Sequence, residues 1–352
     1  MRIAQIAPLH EAVPPKLYGG TERVVSFLTE ELVNLGHDVT LFASGDSVTN
    51  AELHAAWPRA LRLDPAIRDP IAPHVLLLEQ VMRRSEEFDV LHFHMDYWPF
   101  SMFGRQKIPH VTTLHGRLDL PELQPVFNLF PEVPVVSISD SQRRPLPQAN
   151  FVRTVLHGLP RDLLTPQGEQ KRDYLAFLGR ICPEKGADRA IRIARATGMK
   201  LKIAAKIDKV DAEYFEQKIR PMLGGNVELI GEINDAQKPE FLSGAAGLLM
   251  PIDWPEPFGL VMIEAMACGT PVIAFNRGSV PEVIEDGLTG LIVEDETSAI
   301  SAVTRLGALS PAAIRRRFET RFTARRMAED YLSVYRELTH AGRPNLRVVA
   351  GE

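Results

Sequence analysis

The stretch Glu256–Phe275 reads EPFGLVMIEAMACGTPVIAF, and its reading decides how the chain is organised. It holds two carboxylates, Glu256 and Glu264, with seven residues between them, and Gly259 stands where an apolar helix begins. The helix is left through Cys268-Gly269 into the β-rich run TPVIAF. An apolar helix followed directly by a short apolar strand is the unit of a parallel sheet covered on both faces. In LVMIEAMA, Glu264 is the lone charged residue, and a carboxylate on an apolar helix is seldom idle. Glu256 lies in the preceding loop, where an acid is ordinarily solvated. The backbone N–H groups of Phe258, Gly259 and Leu260 open the helix and can face a phosphate or a sugar oxygen.

Strand and helix also alternate ahead of this stretch. Upstream come DYLAFLGR (strand), KGADRAIRIARATG (helix), MKLKIAAK (strand), DAEYFEQKIRPML (helix), NVELIGEI (strand), AQKPEFLSGA (helix) and AGLLMPID (strand). An earlier series holds the strands RIAQIAP, HDVTLFAS, FDVLHFH, IPHVTTLHG and VPVVSISDS, with the helix TERVVSFLTEELVNLG ending at Gly36. The polar stretch from Val152 to Arg172, rich in Pro and Gly, reads as a linker. The pattern predicts an α/β chain with two Rossmann-like, doubly wound domains facing each other across a cleft. Expected boundaries are 1–155 for an acceptor-side domain, 156–322 for a nucleotide-sugar domain, and 323–340 for a terminal helix crossing back to the first. FETRFTARRMAEDYLSVYREL reads as one long amphipathic helix.

Bulk properties exclude some classes. A chain of 352 residues defaults to two domains. A net charge of -5 argues against nucleic acid as the main partner. Two cysteines without a CxxC argue against a disulfide framework and fit a reducing, cytoplasmic location. MRIAQIAP is too short and too soon interrupted for a secretory leader, and no run of about 18 apolar residues is present.

Ligands of a parallel sheet sit beyond the carboxyl ends of its strands, so the strand-to-helix loops carry the chemistry. In LYGGTERVV, Gly19 and Gly20 let backbone N–H groups approach an anion, with Thr21 as cap; an ordinary glycine loop is the equal alternative. In FLGRICPEKGADRA, Arg180 and Lys185 are two cations in one loop that suit a diphosphate, or else an exposed pair. In TLHGRLD, His115 follows a strand and can donate to a sugar hydroxyl or stay structural. His92 and His94 alternate on one strand without a third ligand, which reads as structural and not as a zinc site. Tyr97, Trp98 and Phe100 could stack on a sugar, but packing is the stronger reading. The NAD-type GxGxxG is missing from the Gly19-Gly20 loop, which disfavours a dehydrogenase.

Together these residues resemble the GT4 family of retaining glycosyltransferases, which has the GT-B fold, over nearly the whole chain. The family's E-x7-E motif matches Glu256 and Glu264. Its GR…EKG element matches Gly179-Arg180 and Glu184-Lys185-Gly186, and its GG-x-E loop matches Gly19-Gly20-Thr21-Glu22. GHDV and TLHG also fit, while the family's interdomain NG is His157-Gly158 here. The resemblance implies that Glu264 binds the ribose hydroxyls of a nucleotide and that Glu256 binds the donor sugar. It implies that Arg180 and Lys185 neutralise the departing diphosphate, that Gly20 assists, and that His115 contacts the sugar. It places base contacts at the backbone near Ile230, Gly231 and Glu232.

The expected reaction is metal-independent transfer of a sugar from a nucleotide-diphosphate sugar, with a UDP-sugar favoured, and with retention of configuration. No cofactor is expected. The acceptor is an unidentified sugar, lipid or small molecule. Two full charges and roughly half a charge from the helix end would offset the diphosphate's roughly two negative charges. The alternatives are a GT-B nucleotide-sugar epimerase and a non-catalytic nucleotide-sugar binder. The basic run Arg315 to Arg326 suggests weak contact with an anionic membrane surface, although a solvated helix face is the stronger reading.

Overall fold

In the computed structural model of the protein, residues 1–16, 19–62, 64–168 and 171–341 are described. The chain divides into two compact units. One comprises Met1–Ile138, Pro145–Val155 and the chain from Met327; the other comprises Ser139–Arg144 and Leu156–Arg326.

The first unit is built on seven strands: β1 (Arg2–Ile6), β2 (Asp38–Ser44), β3 (Glu52–Trp57), β4 (Val90–Phe93), β5 (His110–Thr113), β6 (Val135–Ser137) and β7 (Phe151–Thr154). Their spatial order is β3-β2-β1-β4-β5-β6-β7, and every pairing is parallel. After Arg2 every residue of β1 is buried, because a central strand has a covered face on each side. The helix Gly20–Asn34 buries Val24, Val25, Leu28 and Leu32 at helical spacing. The helix Ala324–Ala341 brings Tyr331 and Tyr335 into this unit, both essentially without exposure.

The second unit carries β8 (Tyr174–Arg180), β9 (Lys200–Lys206), β10 (Val227–Gly231), β11 (Ala245–Met250), β12 (Val272–Phe275) and β13 (Gly290–Val293), in the parallel order β10-β9-β8-β11-β12-β13. Its core joins Leu175, Phe177, Leu201, Ile203, Leu249 and Ile273 from the strands to Ala190, Ile191 and Ala194 of the helix Ala187–Thr197.

Three local expectations are corrected. The stretch from Val152, expected as linker, still belongs to β7, the seventh strand of the first sheet. The expected helix 211–223 is an α-turn (Ala212–Tyr214), a π-turn (Phe215–Ile219) and a 3-10 turn (Arg220–Met222) in succession, with Pro221 supplying no N–H. The long terminal helix is broken between Pro311–Arg321 and Ala324–Ala341. There Leu159 donates its N–H to the Phe322 carbonyl at 2.9 Å and accepts from the Ala324 N–H at 2.7 Å. These backbone groups therefore serve a β-like bridge instead of helix.

The basic run across this break is engaged internally. Arg315 donates to the carbonyls of Arg161, Leu164 and Ala267. Arg317 and Arg321 both pair with Glu285, and Arg326 donates to the carbonyls of Leu156 and His157. Among the described residues no helix is long and apolar enough to cross a membrane.

Candidate functional site

In the second unit the site is built on the loops that follow β8, β10 and β11. The helix Leu260–Ala267 starts where the sequence places it, with Gly259 as N-cap at φ 80° and no side chain capping its first N–H groups. Phe258 is buried with its ring 4.9 Å from His157 and 6.4 Å from Phe322, so only its backbone is free to meet a ligand.

Before this helix, Glu256 is almost fully buried, and two donors converge on its Oε2. Lys185 Nζ lies at 2.5 Å and Trp254 Nε1 at 2.9 Å, while the Lys185 ammonium also sits 4.9 Å from the centre of the Trp254 ring. Both of these donors reach Oε2, and among the described residues no donor to Oε1 is seen. The loop is clamped from outside: Ser139 and Ser279 donate their hydroxyls to the carbonyls of Pro257 and Phe258, at 2.6 and 2.8 Å. Gly278 is required for the clamp, since a Cβ there would stand 2.4 Å from both the N and the O of Glu256.

Lys185 is placed by the loop after β8. Gly186 turns that loop at φ 74°, and a Cβ on it would meet the Pro251 carbonyl oxygen at 2.3 Å. Arg189 ties the same carbonyl at 2.6 Å. Arg180, at the end of β8, is faced by three carboxylates: Glu184 at 3.0 Å, Asp208 at 3.7 Å and Asp211 at 3.9 Å. The expected excess of positive charge is thus corrected. Both cations are already paired, so an incoming diphosphate would compete with carboxylates for them. Cys182, between the two cations, is a buried thiol whose pKa is pushed up to about 11 by burial, so it stays neutral and inert.

Glu264 is buried and receives Lys238 Nζ at 2.6 Å; the same ammonium lies 3.1 Å from Asp235. At the end of β10, Gly231 pairs with Ala204 immediately after the Leu229–Ile203 pair, a bulge that leaves Ile230 out of the ladder.

In the first unit the helix Gly20–Asn34 has Gly19, not Thr21, as N-cap. The Glu22 carboxylate accepts from the backbone N–H groups of Glu11 and of Glu22 itself, and burial raises its pKa. The acid already sits in the first turn, where the helix end favours negative charge. His115 lies just past β5, its Nε2 2.9 Å from Nδ1 of His94. Loss of hydration holds its imidazolium down to about 3, so the ring is neutral near pH 7. Its backbone N–H donates to the carboxylate of Asp96, whose φ of 49° is unusual for a non-glycine residue. Trp98 packs edge-on to His74 at 4.7 Å and Phe100 is buried, whereas Tyr97 is exposed.

The sequence reading did not find Lys238, Trp254, Gly278 or Asp96. Trp254 was the nearest to legible, two residues before Glu256 and beside a proline. The others depend on partners that only the fold brings together.

Comparison with known proteins agrees with this architecture. Residues 18–159 match the family described as Glycosyltransferase Family 4, and residues 165–313 match Glycosyl transferases group 1. A phosphatidyl-myo-inositol mannosyltransferase of Mycolicibacterium smegmatis is 26% identical over 97% of this chain and 95% of its own. An alpha-maltose-1-phosphate synthase of Mycobacterium tuberculosis is 24% identical over 95% and 99%. Among solved structures, sucrose-phosphate synthase from Thermosynechococcus elongatus superposes with a TM-score of 0.78 at 20% identity, covering 97% of this chain and 99% of that one. Anabaena HepE in complex with UDP-glucose gives 0.74 at 16% identity, covering 96% and 100%. The chain belongs to the GT4-type glycosyltransferases and has their GT-B fold.

Proposed function

We propose that this glycosyltransferase moves a sugar from a nucleotide-diphosphate sugar, with a UDP-sugar favoured, to an acceptor hydroxyl, without a metal ion and with retention of configuration. The observation that carries the reading is the convergence of Lys185 and Trp254 on one oxygen of Glu256, directly before the uncapped end of the helix Leu260–Ala267. Glu256, ion-paired with Lys185, offers its other oxygen to a donor-sugar hydroxyl. The helix amides from Gly259 and Leu260 meet the diphosphate. Lys185, and Arg180 once drawn from its carboxylates, stabilise the charge that grows on the leaving group. Glu264, fixed by Lys238, accepts from the ribose hydroxyls, and the bulge at Ile230-Gly231 offers backbone to the base.

The first unit supplies the acceptor side, with Gly19, Gly20 and His115 contributing to the same reaction. Attack on the face from which the diphosphate departs, with a phosphate oxygen taking the acceptor's proton, balances the step. One glycosidic bond forms as the sugar–phosphate bond breaks, and the nucleoside diphosphate leaves with the proton. HepE in complex with UDP-glucose, a protein of the same fold, supports the choice of donor class. A panel of nucleotide sugars scored first by thermal shift and then by donor consumption tests the reading. At least one UDP-sugar should stabilise the protein and be turned over. A panel without stabilisation or turnover would refute it.

A further inference from the structure

We propose that Ser139, Ser279 and Glu282 are positioning residues: by holding the carbonyls of the Glu256 loop, they turn the N–H groups of Phe258 and Gly259 toward the diphosphate of the donor. The identity of that anion rests on the proposed function; the aim of the two amides does not.

Three successive carbonyls of the loop each receive a donor from the second unit itself. Ser279 donates its N–H to the Glu256 carbonyl at 2.9 Å. Ser139 Oγ donates to the Pro257 carbonyl at 2.6 Å, and Ser279 Oγ donates to the Phe258 carbonyl at 2.8 Å. Both serines are fully buried, so water does not compete for these bonds. A carbonyl can only accept, so the direction of each bond is fixed.

A planar trans peptide points its C=O and its N–H in opposite directions. The peptides joining Pro257 to Phe258 and Phe258 to Gly259 are trans. Holding the Pro257 carbonyl therefore turns the Phe258 N–H away from Ser139, and holding the Phe258 carbonyl turns the Gly259 N–H away from Ser279. Among the described residues neither N–H has an acceptor, although Phe258 is almost fully buried. A buried N–H without a partner is rare. An anion at the start of the helix Leu260–Ala267 supplies the missing acceptor.

Glu282 holds Ser139 in place. Its Oε2 and Oε1 accept the backbone N–H groups of Asp140 and Ser141, each at 2.7 Å. Ser139 caps the same turn, its Oγ accepting from the Gln142 N–H at 3.0 Å. Glu282 is tied to the other serine through its own N–H, which donates to the Ser279 carbonyl at 2.9 Å. The short helix Val280–Val283 thus sets both clamps, Ser279 through backbone and Ser139 through a carboxylate.

The test is isothermal titration of UDP and of uridine into the full-length protein. Ser139→Ala and Ser279→Ala should each weaken UDP about tenfold and change uridine, which carries no phosphate, less than about twofold. Ser139→Thr keeps the hydroxyl and should keep the UDP affinity. Glu282→Ala should also weaken UDP, and Ser139→Ala should cost less on top of it than alone, because both act through one bond. Unchanged UDP affinity in the folded serine variants would overturn the proposal, as would UDP and uridine weakened alike. Pyrophosphate titrated into the 15N-labelled wild type separates the clamp from the donor: it should shift the amide resonances of Phe258 and Gly259. No shift at either amide would overturn the proposal, and this titration decides if neither serine variant folds. That shift without any binding of UDP would overturn the donor assignment and uphold the clamp.

Discussion

Both donors on Glu256 occupy the same oxygen, so removing its charge should disturb Lys185 as well as the sugar contact. Glu256→Gln is expected to lower kcat by about 10²–10³-fold with a small change in donor KM, because this contact tightens as charge develops. Glu264→Ala should instead raise donor KM at least about tenfold with kcat little changed, since a ribose contact is alike in ground and transition states. Steady-state kinetics on the two variants check the split, and equal effects on KM with turnover intact would contradict the assignment. Lys238 belongs to the same accounting. Lys238→Ala leaves Glu264 buried without its cation, and breaking such a pair costs about 3 kcal/mol, readable in urea denaturation. The two acids were legible because their spacing straddles a helix start. Lys238 was not, because it reaches Glu264 from 26 residues away, and Ser139 reaches the Pro257 carbonyl across 118. Nothing in local sequence marks a lysine or a serine as the partner of a particular distant group.

The helix Leu260–Ala267 and the two serines that grip its leading loop form one element with Gly278 as its fulcrum. Gly278→Ala would drive a Cβ against backbone atoms of Glu256, and backbone has no rotamer with which to yield. The expected cost is about 1–3 kcal/mol, together with a fall in kcat as Glu256 moves. Thermal melts and kinetics on the variant check this. Wild-type stability with wild-type kcat would show that the loop is not held as described. The buried central strands were readable at this scale because they are short, mostly apolar runs, as in RIAQI and YLAFLGR. β3 was missed because it is half exposed and lacks that signal. β7 was absorbed into a linker for the same reason, since each of its residues is only partly buried. The break at Phe322-Thr323 escaped because the amphipathic period runs through it. At the break Leu159 pairs with the flanking backbone, a partner 163 residues away in sequence from Phe322 that no local period reveals.

For the whole molecule, histidines that lose hydration on folding set a pH dependence of stability. In the folded chain, burial holds His115 down to about 3 and His92 well below its ordinary value, whereas unfolded histidines titrate near 6.5. Between pH 7 and 5 the unfolded state takes up protons that the folded state refuses, so stability falls with pH, by at most about 1.4 kcal/mol per pH unit for each ring. Lowered values at His10, His74 and His110 act in the same sense. Glu22, whose carboxyl is raised by burial, acts oppositely and offsets part of the loss. Urea midpoints should fall from pH 7 to 5 and fall less steeply in His92→Gln; a rise toward pH 5 would contradict the assignment. The two-unit α/β architecture was legible because strand and helix signals alternate along most of the chain. The paired state of Arg180 was not, because Asp208 and Asp211 reach it from the loop after a neighbouring strand. The sequence contains no Asp-x-Asp, and the cations in the proposed site are Lys185 and Arg180. The most direct measurement is donor consumption with a UDP-sugar chosen from the panel, in excess EDTA, for the wild type and Lys185→Ala. The account predicts that the wild type keeps its rate in EDTA and that Lys185→Ala loses about 10²-fold or more. Loss of wild-type turnover in EDTA with recovery in magnesium or manganese, or a Lys185→Ala enzyme as fast as the wild type, would contradict it.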